Sequence, residues 1–527
     1  MSTLGTSYCF DDVLMEPLYS NIQSRSQISL ETNIATNNRA LILKTPLISS
    51  PMDTVTETQM AIKMALAGGL GIIHRFMTIE DQVSQIVKVK RFLQYIIREP
   101  YRVLPTATYI DVEELIEKYS VSTYCVVKDF ESNEFLGILT RRDIEAMKNY
   151  SSNVSDCAIQ VSDFMTSYFQ DGGKYSNQTV LYAEDYKMFT NQPDSILRIA
   201  KDTMLHNRCE KIPILGSNGK LEGLITLKNI RHWENNKTKA CIDSTGALCV
   251  GAAIGIVSDY MERLDALVKA NVDLICIDVA NGFNKHVAVA IRNIRRCYPS
   301  LILMAGNVCN AAGFHFLSDP VLDIDCIRVG IGNGSICTTR LETGIGKGQF
   351  SAIQECFQAK RDQGLIPHII CDGGSLGKTG NKVKALAAGA VAVMLGRTLA
   401  STEESPGQII YRNGKRFKYI RGMASTMANL SKQEKSQSQG KETAQAQPPN
   451  KKLKTDFTSE GVDGEQELTG SVIELIDQIN GGIRSGLSYL GTNNLEELHE
   501  KAKMDQIKFN LVTSIGMSET GIRVKTY

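Results

Sequence analysis

The chain has 527 residues, 43% of them hydrophobic and 22% charged, with a formal net charge of +1. That length exceeds one small core and predicts at least two domains, while the near-zero charge gives no electrostatic case for nucleic acid or a membrane surface. Neither a signal peptide nor a bilayer-spanning run is expected. Thirteen cysteines without C-x-x-C or C-x-x-H spacing predict reduced thiols in the cytoplasm rather than disulfides or zinc.

The first continuous apolar runs are Pro46-Leu-Ile-Ser-Ser-Pro-Met-Asp53 and Gly69-Leu-Gly-Ile-Ile-His74. Between them Glu57–Gly68 has helical periodicity, so the order is strand, helix, strand, as in a parallel βαβ unit. The pattern stops near residue 94 and resumes near 246 with six further runs, beginning at Ala247, Leu274, Leu301, Cys326, His368 and Val391. Helical stretches at Val257–Ala270, Lys285–Cys297 and Gly377–Ala388 separate the later ones. Eight such units predict a (β/α)8 barrel, whose chemistry gathers at the C-terminal strand ends. Ser50, Asp278, Asn307, Cys337, Asp372 and Gly396 all fall at or just past those ends, which favours an enzyme over a structural barrel.

The interruption, residues 94–235, contains an internal repeat, about 94–150 and 158–235. Tyr124-Cys-Val-Val…Phe135-Leu-Gly-Ile-Leu-Thr140-Arg-Arg-Asp143 is echoed by Lys211-Ile-Pro-Ile-Leu…Gly223-Leu-Ile-Thr226-Leu-Lys-Asn229. Amphipathic helices at Asp111–Lys118 and Ser195–His206 precede the copies. The repeat resembles a tandem cystathionine β-synthase (CBS) pair, which implies regulatory purine nucleotides bound through Thr140 and Asp143, and through Thr226. Asn229 stands where the second aspartate would be, and Asn supplies no carboxylate.

The barrel is expected to occupy 1–93 and 236–429, with a flexible polar insertion at 430–465 and completion at 466–527. Within the insertion Lys451–Lys454 is a short basic run, read as solvated rather than as an import signal. Gly470–Arg484 is expected to be an amphipathic helix closing on its glycines.

After the sixth strand comes Arg328-Val-Gly-Ile-Gly-Asn-Gly-Ser-Ile-Cys337-Thr-Thr-Arg. Glycines 330, 332 and 334 permit close backbone approach, and the N–H groups around Ser335 suit an anion. Cys337 beside such a site is where a covalent nucleophile would sit. On the loop alone an inert cysteine is equally admissible.

This loop, Ser49-Ser-Pro-Met-Asp-Thr-Val-Thr-Glu57, Asp372-Gly-Gly, Glu404-Ser-Pro-Gly, Arg421-Gly-Met and Gly481-Gly-Ile-Arg-Ser together resemble the IMP dehydrogenase/GMP reductase family over nearly the whole chain. The resemblance implies that Cys337 forms a covalent adduct with purine C2. It places Ser335, Gly374 and Gly396 at the phosphate, Asp372 at the ribose, and Ser50, Met52, Gly422 and Met423 on the nucleotide. Asp278, Asn307, Gly330 and Gly332 would face the nicotinamide cofactor. Carbonyls of Gly332, Gly334 and Cys337 would hold a monovalent cation, K+. Two positions depart from the family: Arg397 replaces a small residue, and Ile420 an aromatic one.

Within the family, dehydrogenases use an Arg-Tyr pair on a flap, yet Gly422–Ile483 contains neither residue type. Asp278-Val-Ala-Asn-Gly and Met304-Ala-Gly-Asn-Val also resemble the reductase branch. The CBS pair, Glu404-Ser-Pro-Gly and Ser459-Glu-Gly-Val-Asp-Gly resemble the dehydrogenase branch more. The reductase's proton-moving Thr/Glu pair would be Thr339 and a glutamate after Gly-Met-x-Ser, where this chain has Thr426; Glu460 is a candidate stand-in. The expected reaction is NADPH-dependent conversion of GMP to IMP and ammonia. The alternatives are IMP oxidation with NAD and a purine-nucleotide sensor without turnover. The resemblance further implies a homotetramer or octamer.

Overall fold

The computed structural model describes residues 4–93, 96–119, 121–151, 159–168, 180–183, 193–216, 218–257, 259–375, 377–425, 460–513 and 516. The chain forms two compact units, Leu93–Thr238 and the remainder.

The larger unit is a closed, all-parallel barrel in the order β1 (Leu47–Ser49), β2 (Leu70–Ile73), β3 (Val250–Ile254), β4 (Leu274–Asp278), β5 (Ile302–Val308), β6 (Cys326–Val329), β7 (His368–Asp372) and β8 (Ala392–Leu395). All eight arise from the apolar runs expected to form them. They are buried on both faces, as parallel strands wrapped in helices must be. Closure is direct: Met394 pairs with Ile48, and Ile48 with Leu70. Ile48, Ile72, Cys276, Met304, Cys326, Ile370 and Met394 belong to one buried apolar cluster, so the barrel is a packed core and not a pore.

The surrounding helices are α1 (Thr58–Leu66), α2 (Ile79–Phe92), α3 (Tyr260–Lys269), α4 (Lys285–Cys297), α5 (Ala311–Leu317), α6 (Gln349–Gln363), α7 (Thr379–Ala387) and α8 (Val472–Tyr489). Helix α8 does not close on Gly481-Gly482 as expected; it runs on to Tyr489. The reason is packing against α7. A Cβ on Gly482 would lie 2.4 Å from Thr379 Cγ2, and one on Gly486 would lie 2.5 Å from Val383 Cγ1. The glycines are contact points between two helices, not a stop signal.

Past β8 an antiparallel sheet forms from β9 (Ile409–Arg412), β10 (Lys415–Arg421) and β11 (Asp463–Glu467). Strand therefore begins inside the segment expected to be flexible to residue 465; Lys451–Lys454 and Thr426 lie outside the described residues. Lys418, 3% exposed, fastens the sheet by donating to the carbonyls of Ser405 (2.8 Å), Gly407 (3.1 Å) and Glu403 (3.3 Å).

In the smaller unit each copy of the repeat runs helix, strand, strand, helix: Tyr109–Tyr119, Tyr124–Val127, Phe135–Leu139, Arg141–Ser151, then Pro193–Asn207, Lys211–Leu215, Leu221–Thr226, Leu227–Asn236. Cys125, Val127, Phe135 and Ile138 of the first copy pack with Leu215, Leu221 and Leu224 of the second. Among the described residues no helix is long and apolar enough to cross a membrane.

Candidate active site

The C-terminal ends of the barrel strands open into two cavities, of about 410 Å³ and about 360 Å³. Ser50, Met52, Asn333, Gly334, Ile336, Asp372 and Gly373 line both, so the cavities share a wall. One end carries Ser335, Gly374, Gly396 and Arg397; the other carries Cys337, Thr339, Gly422, Met423 and Glu460. Asp278, Asn307, Gly330 and Gly332 also line the second. Every barrel residue singled out from the sequence for substrate, cofactor or nucleophile thus lines one or both of these adjoining cavities.

The loop bearing Cys337 is pinned on both sides. Toward β7, Asn333 Nδ2 donates to the Asp372 carbonyl (2.9 Å), and Gln349 Nε2 donates to those of Val329 (2.7 Å) and Asp372 (3.2 Å). Toward the sheet, Thr338 N donates to Glu460 O (2.9 Å) and Val462 N to Ile336 O (3.0 Å). Gly330, at φ +144°, has room only for hydrogen: a Cβ there would sit 2.4 Å from the Asp372 carbonyl oxygen.

A short polar chain results. Cys337 Sγ lies 3.1 Å from Thr339 Oγ1, which donates to Glu460 Oε2 at 2.7 Å. A thiol, a hydroxyl and a carboxylate in line can pass a proton to or from a group bound at the sulfur. Thr339 and its candidate partner Glu460 were both legible in the sequence; the fold brings them into contact.

Beneath the chain lies a charge cluster that sequence reasoning missed. Arg328, 5% exposed, donates to Asp278 Oδ1 and Asp372 Oδ2, both at 2.8 Å. Burial alone works against the guanidinium charge, but Asp372 and Asp278 outweigh it and hold Arg328 protonated. Asn307 Nδ2 donates to Asp372 Oδ2 (2.8 Å) and the Gly330 carbonyl (2.7 Å), joining β5, β6 and β7. The available signal was an arginine inside the apolar run Cys326-Ile-Arg-Val, with aspartates ending β4 and β7.

Arg75 also lines the second cavity; its buried Nε lies 3.8 Å from Asp278 Oδ2 and makes no hydrogen bond among the described residues. An unmet donor beside Asn307 suits a ligand that brings acceptors, as a nicotinamide nucleotide does. The carbonyls of Gly332, Gly334 and Cys337 belong to one turn, where Gly334 O accepts the Cys337 N–H at 3.0 Å. Neutral carbonyl donors suit a monovalent cation better than a divalent one. Of the two departures, Arg397 lines the first cavity, while Ile420 is buried opposite Gly464 and lines neither.

In the smaller unit, Thr140 and Asp143 line a cavity of about 750 Å³ with Arg142, Arg208 and Lys211. Asp143 Oδ2 accepts the Thr140 N–H at 2.7 Å. In the second copy Thr226 instead accepts the Asn229 N–H (3.1 Å) and donates to its side chain.

The domain described as IMP dehydrogenase / GMP reductase matches residues 7–522. An inosine-5'-monophosphate dehydrogenase of Bacillus subtilis is 38% identical over 513 residues, covering 97% of this chain and 94% of that one. One from Nitrosopumilus maritimus is 36% identical over 494 residues, covering 94% of each. Among solved structures, a cysteine-to-alanine variant of GMP reductase from Trypanosoma brucei, in complex with guanosine 5'-monophosphate, superposes with a TM-score of 0.81. It is 33% identical and covers 99% of this chain and 98% of its own. The Trypanosoma brucei GMP reductase complex with guanosine 5'-triphosphate gives 0.72 at 29% identity, covering 97% and 99%.

Proposed function

We propose a reductive deamination for this chain, on one premise: it belongs to the IMP dehydrogenase/GMP reductase family, oxidoreductases of purine nucleotides that use a nicotinamide cofactor. Within that family we assign it to the GMP reductases, converting GMP to IMP and ammonia. The observation that carries the assignment is the Cys337–Thr339–Glu460 chain. Deamination needs a group that protonates a leaving amine next to the thiol, and this chain of atoms supplies one. The lack of arginine and tyrosine in Gly422–Ile483 supports the same choice, because hydrolysis of an adduct would need a water-activating base there.

In this reading the Cys337 thiolate attacks purine C2, breaking the C=N π bond and loading negative charge onto the ring. Glu460, having taken the thiol proton through Thr339, returns it by the same path to the 2-amino group; ammonia leaves, and the purine remains bonded to sulfur. NADPH supplies the hydride that C2 then accepts. Expulsion of the thiolate restores Cys337 and frees IMP. Asp372 and Asn307 hold ribose and cofactor amide across the shared wall, and Arg328 keeps the Asp278 and Asp372 carboxylates oriented. K+ at Gly332, Gly334 and Cys337 would order the loop; no proton step depends on it. The smaller unit is read as the regulatory CBS pair, with Thr140 and Asp143 taking a nucleotide and the Thr226–Asn229 pairing closed on itself.

The test is incubation with GMP and NADPH, following loss of nicotinamide absorbance and release of ammonia. A second reading, IMP dehydrogenase, is favoured by the names of the 36–38% identical relatives. NADH formation from IMP and NAD, without GMP turnover, decides for it.

A further inference from the structure

Glu460 reaches Thr339 from a segment that is itself held between two others. On its inner side the segment meets the cysteine loop, with Cys337 opposite Gly461 in an antiparallel bridge. On its outer side it pairs with the residues that follow β10: Gly422 N donates to Val462 O at 3.1 Å, and Glu460 N to Ala424 O at 3.2 Å. The approach is close, for a Cβ on Gly422 would lie 3.0 Å from Gly461 Cα. This outer rung is fastened in turn to the barrel. Arg421, the last residue of β10, donates from Nε to Asp53 Oδ2 at 2.8 Å, and its Nη2 reaches the same oxygen. Its backbone N donates to Thr54 Oγ1 at 3.3 Å, and Asp53 N donates to Met423 Sδ at 3.3 Å. The Asp53 side chain is 7% exposed, and its Oδ1 is buried without a hydrogen bond among the described residues. Desolvation offsets much of the attraction in a pair this buried, so its chief effect is on geometry.

We propose that Asp53 is a positioning residue: through Arg421 it sets residues 422–424 against the barrel, and through them it holds the Glu460 carboxylate within reach of Thr339. Asp53 lines neither cavity, so its effect on the reaction passes through other residues, while its neighbour Met52 lines both. The loop after β1 thereby serves two ends, a wall for the nucleotide at Met52 and the placing of a proton carrier from the far sheet. The inference rests on the reading of Cys337, Thr339 and Glu460 as a proton relay, and it names the contact that keeps the relay assembled. A relay tolerates little error, since a reacting group displaced by about 1 Å loses on the order of 10²-fold in rate.

The test is a double-mutant cycle on the full chain. Turnover is followed in whichever direction the wild type supports, and GMP and IMP binding by calorimetry without nicotinamide cofactor. Asp53→Ala is expected to lower kcat about 10- to 100-fold while nucleotide Kd stays within about threefold. In the Glu460→Gln background the same change should lower kcat by less than about twofold, because the carboxylate it positions is already gone. Asp53→Asn and Arg421→Lys keep most of the volume and part of the contact; they repeat the pattern with smaller losses and carry the cycle if Asp53→Ala does not fold. Equal losses with and without Glu460 mean that Asp53 only supports the fold and overturn the proposal. An unchanged kcat in Asp53→Ala, or a loss confined to Kd, overturns it as well. A wild type that makes NADH from IMP but does not oxidise NADPH with GMP sinks the reductase assignment alone, and the cycle is then read in that direction. A wild type that turns over neither couple sinks the relay and the proposal together.

Discussion

Thr339 Oγ1 donates to Glu460 Oε2 at 2.7 Å, although 121 positions separate the two residues. The contact brings a carboxylate from the edge of the β9–β11 sheet to the mouth of the barrel beside Cys337. Replacing Glu460 with Gln keeps the size and a hydrogen-bond acceptor but removes the ionisable proton. We expect kcat to fall by about 10²- to 10⁴-fold, the usual weight of general acid–base catalysis, with GMP affinity retained. Thr339→Ala should do the same, and the double variant should be little worse than either, because the two act as one relay. Additive losses would show that the residues do not work in series.

Cys337→Ala removes the proposed nucleophile and leaves the backbone bonds at 336–338 available. Turnover should vanish, while GMP still raises the unfolding temperature of the barrel, since the cavity end at Ser335, Gly374 and Gly396 is intact. Residual turnover above a thousandth of wild type would argue against a covalent route.

The Asp278–Arg328–Asp372 cluster makes a stability prediction. Arg328→Met leaves Asp372 without its counterion, and Asp278 with only Arg75 at 3.8 Å, in a site where Arg328 itself is 5% exposed. Breaking one side of such a pair costs on the order of 3–5 kcal/mol, so the barrel transition in urea should move to clearly lower concentration. Adding Asp278→Asn and Asp372→Asn to the same chain should recover part of the loss. No shift on Arg328→Met would mean that solvent reaches the cluster.

His368 and His499 set the acid limit. Burial is the main cause that lowers both, to about 4, from an ordinary value near 6.5. The unfolded chain therefore takes up protons below about pH 6.5 that the folded barrel refuses until about 4. Stability contributed by the neutral rings is present above that window and lost as pH falls through it, by up to about 3 kcal/mol per ring. Each protonated ring also opposes the other, so the two losses do not simply add. His499→Gln should flatten the change in unfolding midpoint between pH 7 and 5; an unchanged slope would place the acid sensitivity elsewhere.

The barrel was legible because each strand is a continuous apolar run, and burial on both faces requires that pattern. The site was legible for the same topological reason: Ser50, Asp278, Asn307, Asp372 and Gly396 fall where the runs end, and strand ends of a closed barrel meet. What escaped was non-local or polar. Asp463-Gly-Glu-Gln-Glu has no apolar residue to announce a strand; its ladder with Phe417–Arg421 makes it one. Gly481-Gly482 looked like a helix stop because sequence alone does not show α7 lying against that face. Glu460 was a candidate partner for Thr339 in the sequence, but the contact itself needed both the loop after β6 and the segment leading into that polar strand to be in place.

The polar strand has one further consequence. Glu460 bonds Thr339 beside the sulfur and Gln466, six positions on, bonds Arg397; β11 begins between them at Asp463, and within a strand successive side chains alternate between faces. The segment therefore behaves as a caliper, with one jaw at the Cys337 loop and the other at Arg397. Inserting or deleting a single residue between 461 and 465 would reverse the parity and turn one jaw to solvent, whatever its chemistry. Natural length variation in this protein should be tolerated before residue 460 and forbidden just after it.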